Sequence, residues 1–103
     1  MTLSNTVEFP GSVQWDGKYL TIEDQETSAI YGYACSGSSC GLKRTVSLTG
    51  AADCAGTWIA KTIVFCADAG NDDVAVYKYP AGGSSIATLT GTDFPLGVIQ
   101  VTK

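Results

Sequence analysis

The sequence predicts an all-β chain. Twelve glycines punctuate it, and Thr, Ser, Val and Ile fill the segments between them. Those segments alternate apolar and polar residues with the period of two that marks a half-buried strand. No apolar stripe recurs at helical spacing over a useful length. With 45% hydrophobic and 16% charged residues the chain is too apolar for a disordered tail, and its 103 residues suit a single domain.

The strands follow in order. The first hairpin is read over 11–15 and 18–23, turning at Asp16-Gly17, a pair suited to the positive φ angles of a type I′ turn. The next is read over 29–35 and 42–49. Gly37-Ser38 turns it, with Gly supplying positive φ at the first central position. A third hairpin is expected over 54–59 and 61–67, centred on Ala60. Strands at 74–79 and 85–90 flank the loop Pro80-Ala81-Gly82-Gly83, and a ninth strand is read over 94–101. Gly50 and Gly91 each close a Thr-Gly step at a strand end.

The four cysteines fall symmetrically about two of these turns. With Gly37-Ser38 as the turn, Cys35 faces Cys40. With the next turn centred on Ala60, Cys54 faces Cys66. Facing positions in antiparallel strands hold Cβ atoms near disulfide range, so the spacing predicts the bridges Cys35–Cys40 and Cys54–Cys66. Four free thiols in a cytosolic protein are the alternative. A tetrathiolate zinc site fits poorly, because it wants close Cys-x-x-Cys pairs. Paired cysteines imply a secreted, extracellular protein, although no signal peptide is visible at Met1-Thr2-Leu3-Ser4-Asn5.

The chain also resembles itself. Phe9-Pro10-Gly11-Ser12-Val13 recurs as Phe94-Pro95-Leu96-Gly97-Val98. Ser28-Ala29-Ile30-Tyr31-Gly32-Tyr33 recurs as Val74-Ala75-Val76-Tyr77-Lys78-Tyr79, and Ser47-Leu48-Thr49-Gly50 as Thr88-Leu89-Thr90-Gly91. The last two offsets are 46 and 41 residues, the size of a four-stranded propeller blade, and the first, 85, is about two such units. The reading is one domain over 1–103: a first unit at about 9–50, a second at about 51–91 and an extra strand at about 94–103.

Two segments carry a family resemblance. One is Val76-Tyr77-Lys78-Tyr79-Pro80-Ala81-Gly82-Gly83-Ser84 with the Thr88-Leu89-Thr90-Gly91 and Phe94-Pro95-Leu96-Gly97-Val98 that follow. The other is Val13-Gln14-Trp15-Asp16-Gly17-Lys18-Tyr19. They resemble blades of bacterial β-propeller repeat proteins of the NHL/YVTN-like kind, among them uncharacterised secreted propellers. The resemblance implies two antiparallel blades plus one strand. Two blades leave apolar faces uncovered, and propellers close with about four to eight. Three or four copies in a ring would supply six or eight. A fragment of a larger secreted propeller, without activity of its own, is the alternative; a β-sandwich is the alternative fold.

The chemistry classes narrow by composition. The chain has no histidine, which removes Ser-His-Asp and Cys-His catalysis and histidine-ligated metals. A net charge of −4 disfavours nucleic acid as a partner. No stretch approaches the roughly 20 apolar residues that span a bilayer. No Gly-rich phosphate loop is present, and no cofactor is expected. The loop at Asp68, Asn71 and Asp72 is oxygen-rich and faintly calcium-like, but it lacks the spacing of an EF-hand loop and its distal Glu. Trp15, Tyr31, Trp58 and Tyr77 are candidate ligand-binding rings suited to stacking on a carbohydrate, or else to packing in a core. The expected function is non-enzymatic: a homo-oligomeric structural or binding module. A glycosidase using the carboxylates of the Asp24 or Asp68 loops is a distant alternative.

Overall fold

The computed structural model describes residues 2–91, and every regular element among them is a strand. They are β1 (Thr2–Leu3), β2 (Pro10–Trp15), β3 (Leu20–Asp24), β4 (Ala29–Ser36), β5 (Ser39–Thr49), β6 (Cys54–Ala60), β7 (Ile63–Asp68), β8 (Asp73–Lys78), β9 (Gly83–Ser84) and β10 (Ala87–Leu89). The first sheet runs β1-β5-β4-β3-β2, with β9 paired in parallel to the end of β5; the second runs β10-β8-β7-β6. Strands β2 to β5 and β6 to β8 are antiparallel neighbours in chain order, so their hairpins need only short connections, while β1 pairs with β5 in parallel. The ninth strand expected at 94–101 lies outside the described residues.

The sheets meet face to face. Ile30, Val46 and Leu48 of the first pack with Ile59, Val64, Cys66, Ala75, Tyr77 and Tyr79 of the second to form the core. Each fully buried aliphatic or aromatic side chain there contributes about 1.5–3 kcal/mol. Strand β9 crosses back to β5, pairing Gly83 with Leu48, and ties the last loop of the second sheet to the first. A Cβ on Gly82 would lie 2.6 Å from the Ser47 carbonyl oxygen, so only glycine lets this loop approach so closely.

Both disulfides are formed, but one arises from a different register than the spacing predicts. Cys35 and Cys40 pair directly across the turn at Gly37-Ser38, as expected. The β6–β7 hairpin instead turns at Lys61-Thr62, with Ala60 opposite Ile63 and Thr57 opposite Cys66. Lys61 takes the positive φ of 59° that the turn needs. Cys54 lies beyond a β-bulge and is opposite Asp68; the bulge re-aims its side chain toward Cys66, at a Cα separation of 5.6 Å. The first hairpin also shifts by one residue. Its central pair is Gly17-Lys18 rather than Asp16-Gly17, because the Asp16 carboxylate accepts the Lys18 and Tyr19 N–H groups at 2.8 and 2.7 Å.

One set of contacts recurs at a spacing of 44 residues. Asp24 Oδ atoms accept the backbone N–H groups of Glu8, Phe9 and Glu26, and Asp68 accepts those of Ala52, Asp53 and Gly70. Gln25 N–H donates to the Phe9 carbonyl at 2.9 Å, and Ala69 N–H to that of Asp53 at 2.9 Å. Ser28 and Asp72 both have φ of 53°. Bulges fall at Pro10/Ser12 and at Cys54/Gly56. The Tyr33 hydroxyl donates to Asn5, and the Tyr77 hydroxyl to the Thr49 carbonyl.

Candidate functional site

Strands β2 and β6, the edge strands of their sheets, lie side by side. Edge strands expose unpaired N–H and C=O groups, and here side chains of β2 satisfy them. The Gln14 amide donates to the Ile59 carbonyl at 2.8 Å while its Oε1 accepts the Ile59 N–H at 2.8 Å. Ser12 Oγ accepts the Thr57 N–H at 2.7 Å. A carboxamide reproduces the donor and acceptor of a peptide, so Gln14 stands in for one rung of a ladder. Gln14→Ala is expected to cost about 1–3 kcal/mol, since it strands the N–H of buried Ile59. Chemical denaturation measures this directly.

Glu23 lies behind this clamp. It is 1% exposed, and among the described residues neither carboxyl oxygen has a hydrogen-bond partner. Burial, with the nearby charges of Asp24 and Asp53, pushes its pKa up to about 8.

The buried Asp24 and Asp68 are turn caps. Burial alone would raise their pKa values, but the backbone N–H groups aimed at each carboxylate outweigh it and hold both below the ordinary range. This bears on the metal candidates Asp68, Asn71 and Asp72. Asp68 Oδ1 accepts the Asp53, Gly70 and Asn71 N–H groups, and Oδ2 accepts from Ala52 N–H and, at 2.8 Å, the Asn71 amide. The Asn71 amide also donates to the Gly50 carbonyl at 3.1 Å. Asp72 is exposed at the turn's left-handed position. Asp68 thus presents its oxygens to donors rather than to a cation. Among the described residues no cluster of three or more Cys, Asp or Glu is placed to hold a metal.

The four candidate rings do not converge. Trp15 stands on the outer face of the first sheet, 63% exposed, over a hollow of about 230 Å³ lined by Lys18, Leu20, Tyr33, Ala34 and Cys35. Tyr31 is half-buried on β4, its hydroxyl 3.2 Å from Thr27 Oγ1. Trp58 is half-buried on β6 of the other sheet. Tyr77 is in the core and has no face free for stacking.

A charged cluster that the sequence reading missed joins the sheets. The side chain of Asp16, 1% exposed, accepts from Arg44 at 3.1 Å and from the Tyr79 hydroxyl at 2.5 Å. The Arg44 guanidinium lies over the rings of Tyr19 and Tyr79 at 4.9 and 5.8 Å. Burial and the adjacent Asp16 carboxylate push the Tyr79 hydroxyl up to about 12. Its only early signal was Asp-Gly, which was read as backbone geometry.

Comparison of the chain with protein-family models, curated proteins and solved structures returns no match. The two disulfides are consistent with an oxidising, extracellular environment.

Proposed function

We propose that the chain is a non-enzymatic β-propeller-type module that completes its stack of sheets with copies of itself, closing into a ring of three or four chains. One observation carries this reading: the contact between the two sheets is heterologous. The Ile30 and Val46 face of the first sheet meets the Ala75 and Tyr77 face of the second. At the 44-residue spacing, Ala75 and Tyr77 correspond to Tyr31 and Tyr33, which lie on the opposite, outer face of the first sheet. That outer face carries Val13 at 67% and Trp15 at 63% exposure. The outer face of the second sheet carries Trp58, Phe65 and Val76 in one register row, and its edge strand adds Leu89, 56% exposed. The two outer faces are therefore the two kinds that already meet inside the chain. A head-to-tail contact of this type closes into a ring when its rotation permits. The meanders β2 to β5 and β6 to β8, whose strands pair in chain order, suit blades better than the Greek-key connections of a sandwich.

On this reading Trp15 belongs to an interface between chains rather than to a sugar site. Trp15→Asp is expected to shift the sedimenting species from trimer or tetramer to monomer, with an unchanged far-ultraviolet β spectrum and no free thiols. Wild type sedimenting as a monomer overturns the proposal; that outcome fits a piece of a larger propeller instead.

A further inference from the structure

Glu23 is an anomaly that assembly does not explain. It sits in the middle of the chain's own sheet–sheet junction, and its carboxyl group has no hydrogen-bond partner among the described residues. The space it occupies exists because residue 11 is glycine. A Cβ there would clash with Glu23 Oε1 and would lie 2.7 Å from the Ala55 carbonyl oxygen. The corresponding positions 44 residues on are Ala55 and Ala67, so the Gly11–Glu23 pair puts an acid where the second sheet has a methyl group. Among the described residues the elements around Glu23 offer it no cation. Its cross-strand partners are Ser12 on β2 and Ile30 on β4, and β6 presents the Ala55 carbonyl oxygen. The charged groups acting on it are Asp24, next to it on β3, and Asp53, just before β6. Both are acidic, so an ionised Glu23 would be a buried charge among like charges.

We propose that Glu23 is a proton-operated latch: its neutral acid lets the β2 and β6 edges close on each other, and its ionisation favours a state in which they part and the carboxylate reaches water. Opening breaks the Ser12–Thr57 and Gln14–Ile59 hydrogen bonds, because these span the edges that separate. The sign follows from linkage. A hydrated carboxylate in the open state titrates near the ordinary 4.5, whereas the closed state holds its proton to about 8. The open-to-closed ratio therefore rises about tenfold per pH unit between these values and levels off above the upper one. Acid closes the latch and alkali opens it.

Hydrogen exchange at the Thr57 and Ile59 amides, corrected for intrinsic rates, reads the ratio in the intact, disulfide-bonded chain. Protection at both amides is expected to fall about tenfold per pH unit from pH 5 to pH 8. In Glu23→Gln, which keeps the shape without the charge, it is expected to stay flat. The ¹³C shift of the Glu23 carboxyl in wild type provides a readout that does not depend on the variant folding, and its midpoint is expected well above 4.5. A midpoint at the ordinary value, protection independent of pH, or an equal fall in Glu23→Gln would each overturn the latch.

Discussion

Asp68→Ala is expected to cost the chain roughly 3–5 kcal/mol, a large fraction of the stability of a domain this size. The carboxylate gathers four backbone N–H groups and the Asn71 amide at one buried turn. Alanine removes every acceptor at once and leaves N–H groups without partners where water enters poorly. Asp68→Asn is expected to cost less, because its carbonyl still accepts from some of these groups. Denaturant midpoints for the two variants test this ordering, and equal losses would show that the charge, not the number of acceptors, matters. The pH dependence has a fixed sign. The Asp68 and Asp24 pKa values are depressed in the folded chain. Their stabilisation is thus present above the unfolded value of 3.8 and is lost as pH falls through the folded values.

Glu23 acts in the opposite direction and in a different window. Its folded pKa, about 8, lies above the unfolded 4.5. The unfolded chain releases its proton first, so stability falls as pH rises between the two values and is flat beyond. The loss across that interval is at most about 4–5 kcal/mol, and smaller to the extent that the latch opens within the folded chain. Asp73, also raised by burial and by the charges of Asp68 and Asp72, acts in the same direction. The depressed carboxylates titrate below this window. Wild type is therefore expected to unfold at markedly lower denaturant at pH 8 than at pH 5, and Glu23→Gln to lose most of that slope. A wild-type midpoint that does not move between those pH values would contradict the burial of an uncompensated acid.

How much of this was legible differs from element to element. The strands from Ala29 to Ser36 and from Cys54 to Ala60 stand close to where alternation put them, since a short amphipathic run between glycines leaves few choices. The Cys35–Cys40 bridge was legible for the same reason. Cys54–Cys66 was predicted as a pair but through the wrong register. A bulge at Cys54/Gly56 and a lysine at positive φ leave no mark in the side-chain period. Glu23 was legible only as part of an acidic loop. A period of two assigns one face of a strand to solvent, and Thr21 and Glu23 sit on that polar face. Here that face is covered by a second sheet, so both are buried. Gln14 was invisible as a clamp for a related reason: which edge it completes depends on a strand 45 residues away.

If copies of the chain close the ring proposed above, the native particle is larger than one chain, and its mass decides the matter. Light scattering coupled to size exclusion, on oxidised protein near neutral pH, is expected to give a single species of three or four chains of 10.7 kDa each. A single species at the mass of one chain, unchanged as concentration rises, would contradict it.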